Sequence, residues 1–196
     1  SARLPNIHLK AEHHEWRAQL RRFFEREVIP FAAQWDEDGC IPDELWPKSA
    51  AVGILGLGFP EEFGGVSEGI DIWYGIILNE EMARIAVGGV AATLMVHGIG
   101  LPPVINFGSD EVKLMVAPPV LAGTKRISLA ITEPGAGSDV AHLITTARLE
   151  GDYYVVNGSK TYITGGMNAN WFTTAVRTGG EGAGGVSTLL IPADLE

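Results

Sequence analysis

Two short stretches of this 196-residue sequence carry residue types whose spacing suits ligand chemistry. The first is Thr132-Glu133-Pro134-Gly135-Ala136-Gly137-Ser138-Asp139. Gly135 and Gly137 remove side chains where a backbone must approach a ligand, and Ser138 adds a hydroxyl beside the amides they expose. Such a loop suits a phosphate. The second is Tyr162-Ile163-Thr164, an aromatic ring and a hydroxyl two residues apart. On an extended strand both point to one face, where the ring can cover a flat ligand and the hydroxyl can bond its edge. Bland readings stand beside these. Gly135 and Gly137 could close a turn with no ligand, and Tyr and Thr favour sheets anyway. The loop also fails as a dinucleotide fingerprint, because Val140 stands where a third small residue is needed and no helical pattern follows.

Other chemistry-bearing residues read as structural. His13 and His14 are adjacent, so they point to different sides of a helix; a solvated face is expected and a two-histidine metal grip is not. His97 lies in an apolar helical run and reads as a hydrogen-bonded core histidine. Glu80 and Glu81 read as helix-surface and ion-pair residues, with Arg84 four positions after Glu80. Trp16, Phe23 and Trp35 read as a core stripe. Cys40 is the only cysteine, which excludes an intrachain disulfide and a cysteine-based metal site and fits a reducing compartment. No metal is expected.

Composition narrows the class further. A hydrophobic fraction of 46% suffices for a core, and a net charge of −10 opposes a general nucleic-acid or anionic-membrane surface. Any phosphate-bearing ligand must therefore be held locally. No run approaches the roughly 18 apolar residues of a membrane span, and Ser1 to Lys10 has no apolar signal core. Ser1-Ala2 reads as an appended remnant. A cytoplasmic protein is expected, and a mitochondrial matrix protein stripped of its transit peptide would look the same.

The elements that must position the two stretches follow from periodicity. Trp16, Leu20, Phe23, Phe24, Val28, Phe31 and Trp35 recur at spacings near three and four, predicting one long helix from about Leu9 to Asp38, bent at Pro30. A second helix is expected from Pro42 towards Gly53, interrupted or kinked near Pro47, a third over Ile70 to Ile85, a buried one over Gly88 to Phe107 ending near Pro102, and another from Asp110 to about Ala122. After Lys125 the period becomes two. Strands are expected at Ile127–Thr132, Leu143–Leu149, Tyr153–Asn157, Ser159–Thr164, Trp171–Arg177 and Val186–Ile191, with a hairpin turn at Glu150-Gly151-Asp152. The fold class is α+β, with the boundary at about residues 123 to 126: an all-helical domain over 1–124, then a truncated antiparallel β-domain over 125–196. A sheet that stops after Val186–Ile191 is expected to leave a long apolar edge open to association.

Order of elements and motifs together resemble the acyl-CoA dehydrogenase family of flavoproteins. Leu129-Ala130-Ile131-Thr132-Glu133-Pro134-Gly135-Ala136-Gly137-Ser138-Asp139 is similar to that family's first signature, and Asn157-Gly158-Ser159-Lys160-Thr161-Tyr162-Ile163-Thr164 to its second. The likeness extends more weakly over Gly58 to Gly65 and the helix ending at Arg84. It covers about the first half of a typical member: the helical N-terminal domain, part of the central β-domain, and none of the C-terminal four-helix domain. Many members carry Trp where this chain has Tyr162, and either ring can stack on an isoalloxazine.

The resemblance implies α,β-dehydrogenation of an acyl-CoA thioester with FAD as acceptor, in fatty acid metabolism. A carboxylate takes the α-proton while the β-hydrogen leaves as hydride to the flavin. In the family that carboxylate is a glutamate from the absent half, so no catalytic residue is assigned here. By resemblance Leu129, Ile131, Thr132, Gly137, Ser138, Tyr162, Ile163 and Thr164 contact the cofactor. Thr132 would face the pyrimidine edge, Thr164 the N5 or O4 position, and Tyr162 the ring face. Ser138 with Gly137 would hold the pyrophosphate or lie beside the substrate pantetheine. Leu94, Met95 and His97 are candidates for lining the acyl pocket. Implied partners are an acyl-CoA substrate, an electron-transfer flavoprotein or similar acceptor, and further copies of the chain in a homo-oligomer. The alternatives are an acyl-CoA oxidase or flavin monooxygenase on the same scaffold, or a non-catalytic fragment that binds partners. On this reading residues 1–196 alone bind FAD poorly and turn over nothing.

Overall fold

In the computed structural model, which describes residues 7–195, the apolar stripe Trp16, Leu20, Phe23 and Phe24 buries one face of α1 (Ala11–Glu27). Ser1-Ala2 lies outside the described residues. The expected single helix is two: Val28 to Phe31 interrupt it, and α2 (Ala32–Asp38) follows. Pro30 has no amide to donate into the helical ladder, which accounts for the break. Trp35 leaves the core stripe with it, stacking instead on Phe31 at 5.8 Å between ring centroids, with Phe31 itself 49% exposed. In α3 (Leu45–Val52) Pro47 sits in the first turn, where its missing donor costs no bond. The Asp71 carboxylate caps α4 (Ile72–Met82) by accepting the Trp73 amide.

Two residues expected on the surface are buried in this helical part. His13 is fully buried; its Nδ1 accepts the Lys10 amide at 3.0 Å, which makes Nε2 the nitrogen that donates to Asp71 Oδ1 at 3.0 Å. It therefore ties the start of α1 to the cap of α4. Glu81 is also buried and accepts hydrogen bonds from Arg17 and Arg21, with Arg84 beside it. Burial pushes its carboxyl up, but the Arg21 and Arg17 guanidiniums outweigh that and hold it below its ordinary value. Glu80 pairs with Arg17, and Arg84 with Glu25 rather than with Glu80.

Residues 88–107 form three short helices instead of one: α5 (Gly88–Met95), α6 (His97–Gly100) and α7 (Pro102–Phe107). Pro102 and Pro103 can begin a helix but not continue one, so α7 starts afresh there. α8 (Asp110–Leu121) carries Pro118 and Pro119 near its end. No single helix among the described residues is long and apolar enough to cross a membrane. By internal contacts the chain forms two units: residues 1–94 with 121–124, and residues 95–120 with 125–196.

The second unit holds a five-stranded sheet of β1 (Ile127–Ala130), β2 (Thr146–Glu150), β3 (Tyr153–Asn157), β4 (Trp171–Arg177) and β5 (Val186–Pro192). The architecture is α+β. Gly151, at φ 63°, closes the predicted β2–β3 hairpin. β4 and β5 pair antiparallel from Trp171 opposite Pro192 to Arg177 opposite Val186. The sheet is mixed rather than purely antiparallel. β1 runs parallel to β4, from Ile127 opposite Trp171 to Ala130 opposite Thr174, and Thr146 of β2 pairs in parallel with Arg177. The long connection from Ala130 to Trp171 permits this, since a parallel pair needs a crossover and cannot be joined by a tight turn. Ser159–Thr164, expected as a strand, is not one, because Gly158 at φ 157° and Tyr162 at φ 56° interrupt the extended backbone.

Candidate functional site

The two chemistry-bearing stretches lie side by side in the second unit. Three hydrogen bonds cross between them: Ser128 Oγ donates to Thr164 O at 2.8 Å, the Thr161 amide to Thr132 O at 2.9 Å, and Lys160 Nζ to Ile131 O at 2.9 Å. From Ser128 to Thr132 the partner falls from Thr164 to Thr161, so the segments run antiparallel without forming a strand ladder. β1 fixes the first segment through its pairing with β4, and the buried Ser128 carries that placement to the end of the second.

Glu133 locks the arrangement. Its carboxylate is buried, accepts the Ile144 amide at 2.7 Å and the Thr145 amide at 2.9 Å, and meets Lys160 Nζ at 2.8 Å. Burial pushes this carboxyl up, yet the Ile144 amide, the Lys160 ammonium and Thr145 together bring it down to about 2. Sequence reasoning gives Glu133 and Lys160 no role, although Lys160 is the sole charge of the second motif and Glu133 stands beside the turn-forming Pro134-Gly135 of the first. Thr145 was likewise read only as a strand residue. Its Oγ1 lies close enough to favour the ionised Glu133 but is buried and completes no hydrogen bond among the described residues.

The phosphate-type loop is held open by its own backbone. Glu133 and Ala136 exchange both of their amide–carbonyl bonds, at 2.9 and 3.2 Å, closing a tight turn over Pro134-Gly135. Gly135 and Gly137 do not have positive φ, and a Cβ built on either would meet no atom within 4 Å. Nothing within the unit requires glycine at these positions. Gly158 is the opposite case: a Cβ there would lie 2.4 Å from Thr145 Oγ1.

Tyr162 is 91% exposed and has left-handed backbone, an uncommon state for a bulky residue. With its neighbours Ser159 to Ile163 it borders a cleft of about 520 Å³, lined further by Ala130, Phe172, Thr174 and Ile191. The hydroxyls of Thr132, Ser138 and Thr164 have no hydrogen-bond partner among the described residues, and Ser138 and Thr164 are exposed. Leu129, Ile131 and Thr132 are half-buried, as is Ile163; Gly137 is exposed. Only Tyr162 and Ile163 of the eight candidate cofactor residues line the cleft. The acyl-pocket candidates are placed otherwise. Leu94 is fully buried in the helical unit, while His97 is buried and engaged and Met95 half-buried in the sheet unit, neither lining the cleft.

Residues 10–124 match the acyl-CoA dehydrogenase N-terminal domain, and residues 128–196 the acyl-CoA dehydrogenase middle domain. The chain is 35% identical over 207 residues to the acyl-CoA dehydrogenase AFT10-1 of Alternaria alternata, a match covering 99% of this chain and 48% of that protein. Among solved structures it is similar to a Mycobacterium smegmatis protein assigned to the acyl-CoA dehydrogenases, with a TM-score of 0.90 at 47% identity over 96% of this chain and 49% of the other. An acyl-CoA dehydrogenase from Bacillus anthracis, solved in complex with FAD, superposes with a TM-score of 0.81 at 30% identity, covering 97% of this chain and 32% of the other. The chain thus spans about half the length of the Alternaria alternata and Mycobacterium smegmatis proteins.

Proposed function

This chain belongs to the acyl-CoA dehydrogenase family, and on that premise we propose that it supplies the FAD-binding face of an enzyme that desaturates acyl-CoA thioesters between the α and β carbons. The observation carrying this reading is the antiparallel apposition of residues 128–133 and 160–164. It sets the hydroxyl-bearing residues Thr132 and Thr164 and the ring-bearing residue Tyr162 within one small region of the sheet unit, with neither hydroxyl hydrogen-bonded among the described residues. The residues present fit the cofactor. Open space at Gly135 and Gly137 suits a diphosphate approaching backbone amides, and an exposed aromatic ring suits a tricyclic one.

FAD, when bound, supplies the acceptor for the electron pair released as the acyl chain becomes unsaturated. The chain's own residues bind and orient it. Thr132 and Thr164 offer hydroxyls to the polar edge of the flavin, Leu129, Ile131 and Ile163 pack about it, and Tyr162 covers the ring. Gly137 and Ser138 hold the pyrophosphate or the pantetheine arm, each bond to a charged oxygen contributing roughly 1.5–3 kcal/mol. Of the residues proposed for the acyl pocket, Leu94, Met95 and His97, only Met95 keeps partial exposure. The proton-accepting carboxylate is proposed to come from outside residues 1–196. An electron-transfer flavoprotein or similar acceptor and a homo-oligomeric assembly complete the proposal, as does a domain division at 124–125, which the extents of the two family matches support.

The natural-length protein, purified and assayed without oxygen, should lose its flavin absorbance when an acyl-CoA is added. No bleaching with short, medium, long or branched thioesters would sink the proposal. Rapid reoxidation by oxygen after bleaching would instead assign an oxidase.

A further inference from the structure

We propose that Arg177, at the end of β4, is a positioning residue that sets both flavin-facing segments through a single peptide bond. The inference rests on the functional reading above. Arg177 holds three alternate carbonyls of one irregular segment: Nη2 donates to Ala141 O at 2.7 Å, Nε to Leu143 O at 3.0 Å, and the backbone amide to Thr145 O at 2.7 Å. Its Nη1 also donates to Gly180 O at 2.6 Å and Gly182 O at 3.1 Å. Among the described residues its guanidinium partners are carbonyl oxygens alone, so its charge is spent on orienting peptide groups.

The peptide bond between Leu143 and Ile144 is the link. Its carbonyl faces the Arg177 cation and its amide donates to the Glu133 carboxylate. The peptide dipole therefore lies with its negative end on the positive charge and its positive end on the negative one, an alignment that strengthens both bonds in this partly buried setting. Glu133 belongs to the first motif and pairs with Lys160, which in turn holds Ile131 O beside the second. The order Arg177, peptide 143–144, Glu133, Lys160 thus alternates in charge from β4 to both cofactor segments. A lysine at 177 keeps the charge but lacks the planar fork that reaches Ala141, Leu143 and the glycine loop together.

The test uses the natural-length protein and its Arg177→Lys, Arg177→Gln and Lys160→Met variants. FAD affinity is read by titration of the apoprotein, and amide exchange is read at Ile144 and Thr145, with Thr173 to Ala175 of β4 as the internal control. We expect both Arg177 variants to lose protection at Ile144 and Thr145 and to bind FAD about tenfold more weakly, the Lys variant less affected, with the β4 control unchanged. In the Arg177→Gln/Lys160→Met double variant the affinity losses should fall short of the sum, because both act through Glu133. Unchanged FAD affinity despite lost protection, or additive losses in the double variant, would overturn the proposal. So would retained protection at Ile144 and Thr145. If the Gln variant does not fold, the Lys variant carries the same comparison. A parent protein that binds no FAD at all sinks the functional reading and the cofactor half of this inference, while the exchange arm still decides whether Arg177 holds the segment.

Discussion

Lys160 Nζ sits 2.8 Å from Glu133 Oε1 with both side chains almost withdrawn from solvent, at 11% and 2% exposure. Because one residue belongs to each motif, this ion pair holds together the two segments on which the proposed flavin site depends. Removing the lysine as Lys160→Met leaves a buried carboxylate with only the Ile144 and Thr145 amides as partners. We expect a loss of about 3 kcal/mol in unfolding free energy, read from urea denaturation. A change below about 0.5 kcal/mol would show that the pair is not structurally important.

The same carboxylate gives the fold an acid-side dependence. The folded-state value of Glu133, about 2, lies below its ordinary 4.5. A depressed carboxyl stabilises the folded state fully above its unfolded value, and that contribution drains away as pH falls from 4.5 towards about 2. The contribution above that window is about 3 kcal/mol. Stability measured through the window should therefore fall more steeply for the natural protein than for Glu133→Gln, and parallel curves would refute the assignment.

Glycines in the two motifs should separate by phenotype. Gly158→Ala places a Cβ against Thr145 Oγ1, 2.4 Å away, at a backbone conformation unsuited to a side chain. It should cost about 2 kcal/mol or more in stability. Gly137→Ala meets nothing within 4 Å, so thermal stability should hold while FAD binding weakens about tenfold, the equivalent of one lost hydrogen bond to a charged group. Intact FAD binding in Gly137→Ala, measured by equilibrium titration, would argue for a plain turn.

Tyr162 combines an exposed ring with left-handed backbone that costs a bulky residue about 1–2 kcal/mol. Such strain at an exposed position is expected where the side chain serves a ligand. Tyr162→Gly should leave the melting temperature of the apoprotein unchanged or higher and weaken flavin binding. A lower melting temperature with unaltered binding would make Tyr162 a folding residue instead.

His13 offers a test within the helical unit. Its two ring bonds join Lys10 to Asp71 within the helical unit. His13→Ala should destabilise that unit by about 2 kcal/mol through lost packing and two unmet partners. Differential scanning calorimetry would detect the shift, and an unchanged transition would contradict the placement of His13.

What could be read from residue order alone has a physical boundary here. The stripe of α1, the hairpin turn at Gly151 and strands β3, β4 and β5 depend on neighbours close in sequence, and their signals were legible. The two motifs were visible for the same reason. His13 and Glu81 were misread as surface residues because their partners are distant in sequence: Asp71 for one, Arg17 and Arg21 for the other. A helix face becomes inner or outer only when another helix docks on it. The parallel pairing of β1 with β4 escaped for a related reason, since alternation reveals a strand but not the direction of its neighbour. Tyr162 escaped because a β-favouring residue type concealed a left-handed backbone. Arg177 escaped because backbone carbonyls, its only guanidinium partners among the described residues, have no letter in a sequence.

The seam between β1 and β4 also bears on how the protein is assembled in time. Hairpin β2–β3 and the β4–β5 pair can zip from neighbouring residues, whereas joining Ile127 to Trp171 must first close the entire intervening chain, an entropic toll that delays such contacts. We expect this long-range closure to be the late event of maturation, so that the proposed flavin site exists only once the rest of the sheet has condensed. Pulse-labelled exchange would show β1 amides protected after those of β5, and simultaneous protection would count against that sequence of events. A chain newly made in the cell would on this view lack the proposed cofactor site until the final stitch is in place.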